Sequence, residues 1–232
     1  MTDQLSPRGT ADGTEPGTGP GHPLRGYSTA TVSDALDRIG RAGCLHGIGQ
    51  LTPGTRVFGR AYTVSYMAAG HPAGTVGDYL DDVRPGEVAV LDNGGRTDCT
   101  VWGDILTAMA DDRGVAGTLI DGVCRDVHRA LGVGYPLFTR GRYMRTGKDR
   151  VEVRDVQCPV SVAGVQIAPG QLIIADDDGA VTVPLDVEDE LADICRTIHE
   201  REERIVEDVL AGSSLAAARA AHGYHLLQRN QA

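Results

Sequence analysis

The sequence predicts a single α/β domain, and two observations carry this prediction. A strand–helix–strand unit is predicted over 87–121, with an apolar strand over 87–92, a glycine-containing loop, a helix over 102–113 and a buried strand over 114–121. Neither an internal repeat nor a clear linker divides the 232 residues, which favours one compact domain. Because ligands bind where the strands of such a sheet end, the turn after the second strand is the first place to expect a site.

The elements before this unit follow from capping residues and periodicity. Residues 1–24 contain five glycines, four prolines and no apolar period, which predicts a flexible leader followed by one domain over 25–232. A capping serine and a closing glycine predict a helix over 28–40. Alternation predicts a strand over 59–67, and the run 75–80 is typical of a short helix.

The elements after the unit are predicted in the same way. The alternating segments 151–156 and 160–167 are predicted to pair with each other, and the acidic turn at 176–179 is predicted to close a hairpin rather than to bind calcium. The remaining predicted elements are a short helix over 127–131, a strand over 135–138, hairpin strands over 172–175 and 180–183, and a C-terminal arm of two helices over 186–210 and 213–222.

Composition narrows the classes of function. Hydrophobic residues make up 41% of the chain and aromatic residues only 4%, so the core is expected to be aliphatic. The formal net charge of −10, without a basic run, predicts that the protein binds neither nucleic acid nor a membrane by charge. No apolar run approaches the roughly 20 residues that span a bilayer, and we expect no signal peptide. Five cysteines without paired spacing indicate reduced thiols and a cytoplasmic protein.

Three charged residues stand where the predicted unit would bind a ligand. The run Asp121-Gly-Val-Cys-Arg125-Asp126 ends the second strand, and Asp104 opens the helix 21 positions before Arg125. Two carboxylates and one guanidinium at a sheet edge suit a divalent cation together with an anionic substrate. The alternatives are that Asp126 only caps the following helix and that Asp104 only complements the helix dipole.

Backbone groups near these charges complete the predicted substrate site. Asn93 and Gly95, in the glycine-containing loop, would permit close approach of a ligand. The amides of Ile105 and Leu106, at the start of the helix, could cradle a carboxylate, and Gly103 lies in the same first turn. These five residues form the predicted substrate-binding set together with Arg125.

The scarcity of lysine constrains the reaction. Of 22 basic residues, 21 are arginine and one is Lys148, in a polar turn. An imine mechanism requires a lysine in a desolvated pocket, so Lys148 is a poor candidate and the chain favours metal chemistry. Cys124 adjoins the predicted site without an evident base, which argues against a nucleophilic role.

Several motifs resemble those of the RraA-like family, which includes the class II 4-hydroxy-4-methyl-2-oxoglutarate aldolases. The resemblance covers about 29–215, and the family's D-x20-R-D signature is met by Asp104, Arg125 and Asp126. The motifs that carry it are Thr31-Val-Ser-Asp-Ala-Leu36, Gly59-Arg-Ala-Tyr-Thr-Val64, Trp102-Gly-Asp104, Ile120-Asp-Gly-Val-Cys-Arg-Asp126, Pro169-Gly-Gln-Leu-Ile-Ile-Ala-Asp176 and Asp178-Gly-Ala-Val-Thr-Val-Pro184.

The resemblance implies a three-layer fold of the swivelling phosphohistidine-domain type, assembled as a homotrimer or homohexamer with active sites between protomers. It also implies that a glutamate of the neighbouring subunit's C-terminal helix completes each site. Glu202 is the best match to that residue, and Glu200 and Glu203 are close to it in sequence.

The resemblance further implies a role for each signature residue. Asp126 would hold Mg²⁺ or Mn²⁺, Asp104 would orient water on the metal, and Arg125 would bind the substrate and stabilise an enolate. The expected protein is a metal-dependent lyase that cleaves a 4-hydroxy-2-oxo acid to pyruvate, decarboxylates oxaloacetate, or does both.

Two alternatives stay open at this point. Some RraA-like proteins are non-catalytic regulators that bind ribonuclease E, and such a protein needs no intact site. A specialised pathway enzyme on the same scaffold is the other possibility. It is suggested by Arg129, which stands where the aldolases usually carry an acidic residue, with His128 beside it.

Overall fold

The computed structural model describes residues 18, 19 and 21–224. The helices are α1 Thr29–Arg38, α2 Asp104–Asp112, α3 Val127–Val133, α4 Glu188–Leu210 and α5 Leu215–Ala221. The strands are β1 Gly49–Gln50, β2 Val57–Ala68, β3 Val88–Thr100, β4 Gly117–Cys124, β5 Leu137–Arg142, β6 Val151–Val156, β7 Val160–Val162, β8 Val165–Ile167, β9 Leu172–Asp176 and β10 Gly179–Val183.

One mixed sheet organises the domain. Its strand order is β1-β5-β4-β3-β2-β9-β10, and β6 adds to the edge of β2 beyond the part that pairs with β9. The strands β2, β3, β4 and β5 run parallel, which places the ends of β3 and β4 at the same edge. The strands β7 and β8 form a separate hairpin.

Alternation along the central strand explains the layering. In β3, Ala89 and Leu91 pack with α2 and α3 on one face of the sheet, whereas Val88 and Val90 pack with the β7–β8 hairpin on the other. Successive side chains of a strand point to opposite faces, so a strand buried on both sides is apolar throughout. The helices α1 and α4 cover β9 and β10 through a further apolar cluster. The predicted α/β class with three layers and C-terminal helices is confirmed.

Most predicted elements are confirmed, and three are wrong. The helix over 28–40 is α1, whose cap Ser28 accepts a hydrogen bond from the Thr31 amide at 3.1 Å. The segment 75–80 is not an α-helix, since only a short 3₁₀ turn forms at Asp78–Asp82. The segments 151–156 and 160–167 do not pair, because β6 joins β2 while 160–167 folds on itself. The strand predicted over 87–92 continues to Thr100.

The predicted leader lies mostly outside the described residues, and its last residues are packed rather than free. Leu24 is fully buried in the cluster beneath α1 and α4. The imidazole of His22 lies 3.2 Å from the carboxylate of Glu188, which also forms a buried ion pair with Arg60. The Leu24 amide donates to Nδ1 of His22, so Nε2 is the nitrogen that donates to Glu188. The predicted start at residue 25 therefore falls inside a packed segment.

Among the described residues, no helix combines the length and the apolar character that a bilayer crossing requires.

Candidate active site

The ends of two parallel strands bring the signature residues together. After β4, the amide of Arg125 donates to the carbonyl of Trp102 at 2.9 Å, which joins the turn after β3 to the turn after β4. The indole of Trp102 is buried and donates to the Thr107 hydroxyl at 2.9 Å, and that hydroxyl donates in turn to the carbonyl of Gly103. Arg125 therefore lies against the residues that begin α2, as the parallel order predicts.

Gly103 allows this close approach because it has no side chain. A Cβ atom at this position would lie 3.0 Å from Oδ2 of Asp126 and 3.4 Å from Nε of Arg125. The D-x20-R-D residues thus meet across a glycine, and Asp104 follows at the first position of α2.

Asp126 holds an unusual backbone conformation. Its φ of 53° and ψ of 37° are left-handed, a region that costs a non-glycine residue roughly 1–2 kcal/mol. Its carboxylate makes no capping hydrogen bond to α3 and instead lies 3.2 Å from Nε of Arg125. Both side chains keep about a third or more of their surface exposed. The alternative of a simple helix cap therefore does not describe Asp126, and strained residues of this kind cluster at functional sites.

Asp104 engages part of the predicted carboxylate cradle. Its Oδ1 accepts from the amide of Ile105 at 2.9 Å, so that amide already has an acceptor. The side chain of Ile105 is 78% exposed, while Leu106 is half-buried and lines the neighbouring cavity.

A cavity of about 490 Å³ opens beside these residues. Arg125, Asp104 and Gly103 form one side, and Lys148 contributes a second cation. The rest of the lining includes apolar side chains and the loop before the 3₁₀ turn, namely Val76, Val101, Trp102, Leu106, Met109 and Gly74 to Asp78. The lining therefore combines the cations Arg125 and Lys148 and the carboxylates of Asp78, Asp81 and Asp104 with an apolar wall.

Lys148 lines this cavity, although sequence reasoning did not include it among the candidate site residues. It lies in the turn between β5 and β6, with Thr146 and Gly147 also lining the cavity. Gly147 fits tightly, because a Cβ there would lie 2.3 Å from the carbonyl oxygen of Thr100. The one available signal was that this is the single lysine of an arginine-rich chain.

A carboxylate holds the loop that contributes Gly74 to the cavity lining. The amides of Gly74 and Gly70 donate to Oε2 of Glu152, on β6, at 2.7 and 3.0 Å. These two hydrogen bonds hold the pKa of the Glu152 carboxyl below its usual value. Because Gly74 lines the cavity, Glu152 fixes one wall of it without entering the lining.

Four predicted residues do not line this cavity. Asp126 is the first of them, although it contacts Arg125 and approaches Gly103, which both line it. Asn93 is buried against Gly122, and Gly95 faces the ion pair between Arg140 and Asp121. The physical reason is that β3 does not end at residue 92. Its register against β4 shifts twice, so the strand continues to Thr100 and its true end lies beside Gly103.

Glu202 is the fourth predicted residue that does not line the cavity. It is half-buried on α4, where burial and then the nearby charge of Asp34 raise the pKa of its carboxyl. Within one chain it does not line the space beside Arg125 and Asp104. A role in catalysis would therefore require a second copy of the chain.

The donor set fits a hydrated hard cation rather than a protein cage. Among the described residues, no group of three His, Cys, Asp or Glu side chains is placed to hold a metal. Mg²⁺ characteristically uses one or two carboxylates and fills its shell with water and substrate oxygens. Asp126 and Asp104, both part-exposed, match that pattern. Neighbouring Cys124 does not, since burial raises the pKa of its thiol to about 11.

The chain is similar to proteins of one known family. A family model described as RraA-like, aldolase/RraA, matches residues 29–182. Protein DlpA of Legionella pneumophila is 40% identical over 200 residues, covering 85% of this chain but 32% of DlpA, so the chain spans about a third of that relative's length. A protein of Halalkalibacterium halodurans named as a putative 4-hydroxy-4-methyl-2-oxoglutarate aldolase is 34% identical over 163 residues, covering 69% of this chain and 74% of the relative.

A solved structure supports the same fold. The crystal structure of RraAS2 from Streptomyces coelicolor, described as an unusual member of the RNase ES inhibitor RraA family, superposes with a TM-score of 0.72 at 31% identity. The match covers 78% of this chain and 92% of RraAS2.

Proposed function

The chain belongs to the RraA-like family, and on that premise we propose that it is a divalent-metal-dependent lyase acting on a 2-oxo acid. The proposed reactions are retro-aldol cleavage of a 4-hydroxy-2-oxo acid to pyruvate and decarboxylation of an oxaloacetate-type acid. The observation that supports the proposal most is the Arg125–Asp126 pair, which packs against Gly103 and whose arginine lines the 490 Å³ cavity together with Asp104.

The metal would be Mg²⁺ or Mn²⁺, held by Asp126 with Asp104 nearby. When bound, such an ion supplies a Lewis acid that polarises the keto group of a 2-oxo acid. Asp126 presents its carboxylate to solvent because its left-handed backbone turns the side chain away from the helix amides. The ion pair with Arg125 fixes the position of that carboxylate.

Two cations of the protein, Arg125 and Lys148, would stabilise the negative charges of the substrate and of the reaction. In retro-aldol cleavage the C3–C4 bond breaks, the C4 hydroxyl loses its proton to become a carbonyl, and the electron pair moves onto the three-carbon fragment. Arg125 places fixed positive charge where this negative charge develops, and Lys148 provides a second cation for the substrate carboxylate. The fragment takes a proton at C3 to give pyruvate. Loss of CO₂ leaves the same fragment, so one site serves both reactions.

Release of pyruvate tests this proposal. We expect activity on a panel of 4-hydroxy-2-oxo acids and oxaloacetate to require Mg²⁺ or Mn²⁺, to disappear with chelator, and to survive borohydride in the presence of substrate. Arg125→Ala and Asp126→Ala should each lower turnover by about 10²-fold or more, the scale of losing one preorganised charge. Asp126→Ala should also weaken metal binding in a calorimetric titration.

An exposed arginine–aspartate pair elsewhere provides the control. Arg96 and Asp98 form such a pair at 2.9 Å on β3, and neither lines the cavity. Asp98→Ala should leave turnover and metal affinity unchanged. Near wild-type rates in folded Arg125→Ala and Asp126→Ala proteins would refute the site, and covalent trapping at Lys148 would refute the metal route.

We also propose that a neighbouring subunit completes the site in a trimer or hexamer. The C-terminal helices expose several large apolar side chains, as does the start of α2, and such surfaces mark association. They are Val206, Val209, Leu210, Leu215 and Ile105. The part-buried Glu202, outside the cavity of its own chain, is the residue we expect across the interface, with Glu200 and Glu203 as its neighbours on α4.

Mixed oligomers test this shared site. Inactive Glu202→Ala subunits exchanged with inactive Arg125→Ala subunits should regain partial activity, because some interfaces then pair an intact Glu202 with an intact Arg125. No recovery after verified exchange, or a fully active monomer, would contradict a shared site.

A second function rests on the similarity to RraAS2. Its family description as RNase ES inhibitors favours a protein-binding regulator as the alternative. A regulator should bind a ribonuclease of the E type equally well with Arg125→Ala, and this would be measured by inhibition of RNA cleavage. Loss of pyruvate release in that variant without loss of inhibition would separate the two functions.

A further inference from the structure

The cavity of the candidate active site is positively charged at one end. Among the described residues that line it, Arg125 and Lys148 are the only cations, and both are attached at this end. The Arg125 amide donates to the carbonyl of Trp102 at 2.9 Å, and the turn that carries Lys148 packs on Thr100. The helix α2 begins at the same end, where its dipole adds partial positive charge. The carboxylate and the keto group of a 2-oxo acid therefore belong here.

An apolar wall leads away from this charged end along α2. Leu106 and Met109 are three residues apart on the helix, so they lie on one face of it, and both line the cavity. At a rise of about 1.5 Å per residue, Met109 lies roughly 7.5 Å further along the helix axis than Asp104. The loop with Val76 and Gly77 closes on this wall, because a Cβ at Gly77 would lie 2.8 Å from a methyl group of Leu106. The wall is therefore long enough to contact several methylene groups.

Carboxylates rather than cations accompany the apolar wall. Asp78 follows Gly77 directly and lines the cavity, and within the described part of the chain no ion pair or hydrogen bond engages its carboxylate. Asp81 also lines the cavity, but its charge is balanced by Arg113, the residue at the end of α2, at 3.1 Å. The C-terminal end of a helix carries partial negative charge as well. A second carboxylate on a ligand would meet like charge here, whereas a hydrocarbon tail would bury its surface against the wall.

From this arrangement we infer that the site selects a 2-oxo acid with an uncharged hydrocarbon tail. Leu106 and Met109 contact the tail, and Asp78 rejects a terminal carboxylate. The inference rests on the proposed function, because it places the 2-oxo acid end of the substrate beside Arg125. The carbonyl compound that retro-aldol cleavage releases is then apolar and uncharged. An oxaloacetate-type acid is too short to reach Met109, so this selection does not apply to it.

Two acids of the same length test this inference. Both 2-oxooctanoate and 2-oxooctanedioate lack the C4 hydroxyl that cleavage requires, and they differ only in a terminal methyl or carboxylate group. An extended chain covers roughly 1.2 Å per bond, so either acid spans roughly 8 Å, the length of the wall. In calorimetric titrations of the Mg²⁺-loaded protein, 2-oxooctanoate should bind about tenfold or more tightly than 2-oxooctanedioate. It should also bind about tenfold or more tightly than 2-oxobutanoate, whose tail is too short to reach the wall.

Three variants assign these effects to residues. Asp78→Asn should strengthen the binding of 2-oxooctanedioate by about threefold or more and leave that of 2-oxooctanoate unchanged, because it removes the like charge. Asp82→Asn, an exposed residue of the same 3₁₀ turn outside the lining, should change neither. Met109→Gln keeps the length of the side chain but makes it polar, so it should weaken 2-oxooctanoate by about threefold or more and leave 2-oxobutanoate unchanged.

The short acid separates the failure of this inference from that of the proposed function. Equal or tighter binding of 2-oxooctanedioate than of 2-oxooctanoate, or equal binding of 2-oxooctanoate and 2-oxobutanoate, would overturn the inference. An unchanged affinity for 2-oxooctanedioate in Asp78→Asn, or for 2-oxooctanoate in Met109→Gln, would also overturn it. In each of these cases, Mg²⁺-dependent binding of 2-oxobutanoate would leave the proposed function standing. Failure of the wild type to bind any of the three acids would overturn both.

Discussion

Replacing Gly103 with alanine tests the site through its packing rather than its charges. The new Cβ would lie 3.0 Å from Oδ2 of Asp126 and 3.4 Å from both Cγ and Nε of Arg125. The first distance is shorter than an ordinary carbon–oxygen contact, so Asp126 must move by a few tenths of an ångström. The backbone of Gly103 is extended, with φ of −154° and ψ of −161°, and therefore tolerates alanine without strain.

The expected effect is large on activity and small on stability. Catalytic groups displaced by about 1 Å can lose about 10²-fold in rate, so a shift of a few tenths predicts a loss of about tenfold in kcat/KM for pyruvate release. Metal affinity should fall as well, because the displaced atom belongs to Asp126. The free energy of unfolding should change by less than about 1 kcal/mol, since the change fills no core position.

A second glycine supplies the matched control. Gly49, on β1, has no atom within 4 Å of an added Cβ and an ordinary φ. Gly49→Ala should leave kcat/KM, metal affinity and unfolding unchanged. Wild-type activity in Gly103→Ala would refute the close packing of Asp126 against Gly103. An unfolded Gly103→Ala protein would refute the expectation that the substitution disturbs only the site.

Three further outcomes follow from the described contacts. Glu188→Ala should lower the free energy of unfolding in urea by about 3 kcal/mol or more, because it removes the carboxylate of a buried ion pair, whereas exposed Asp189→Asn should change it by less than about 0.5 kcal/mol. The amides of Gly70 and Gly74, which donate to Glu152, should be protected from hydrogen exchange above the unfolded-state pKa of that carboxyl, about 4.3. They should lose protection as the pH falls through the lowered pKa of Glu152 in the folded state. Glu152→Ala should remove the protection at all pH values. Iodoacetamide at about pH 8 should label exposed Cys44 before Cys124, whose thiol has a pKa raised by burial to about 11, and equal rates in peptide mapping would contradict that burial.

Local signals in the sequence were sufficient for much of the fold. The Ser28 cap fixes the start of α1, and the two glycine-bounded apolar runs fix β3 and β4 as neighbouring parallel strands. Because parallel strands end at the same edge, the meeting of Arg125 with the start of α2 followed from order alone. These rules use only the local sequence or the order of the elements, and they can be applied without knowing how the side chains pack.

The wrong predictions concern strand pairing between segments that lie far apart in the sequence. The register shifts in β3 carry Asn93 and Gly95 away from the cavity, and nothing in the local pattern separates such a bulged strand from a strand followed by a loop. The pairing of β6 with β2 likewise depends on which edge is free once β9 has covered the first half of β2. Packing selects the partner of a strand when the two strands lie far apart in the sequence. The periodicity of apolar residues within one strand does not reveal that partner.

Lys148 shows how an argument against one role can hide a residue that lines the candidate site. Its polar turn argues against an imine, since an exposed ammonium is not desolvated, yet the same turn brings it to the cavity that Arg125 lines. The tight fit of Gly147 against Thr100 anchors the turn at the end of β3. A solvent-exposed lysine suits electrostatic binding of a carboxylate, which needs charge and reach rather than a lowered pKa. We therefore propose that Lys148, a poor candidate for a nucleophile, binds the substrate carboxylate and supplies the metal-dependent reaction proposed above with a second positive charge.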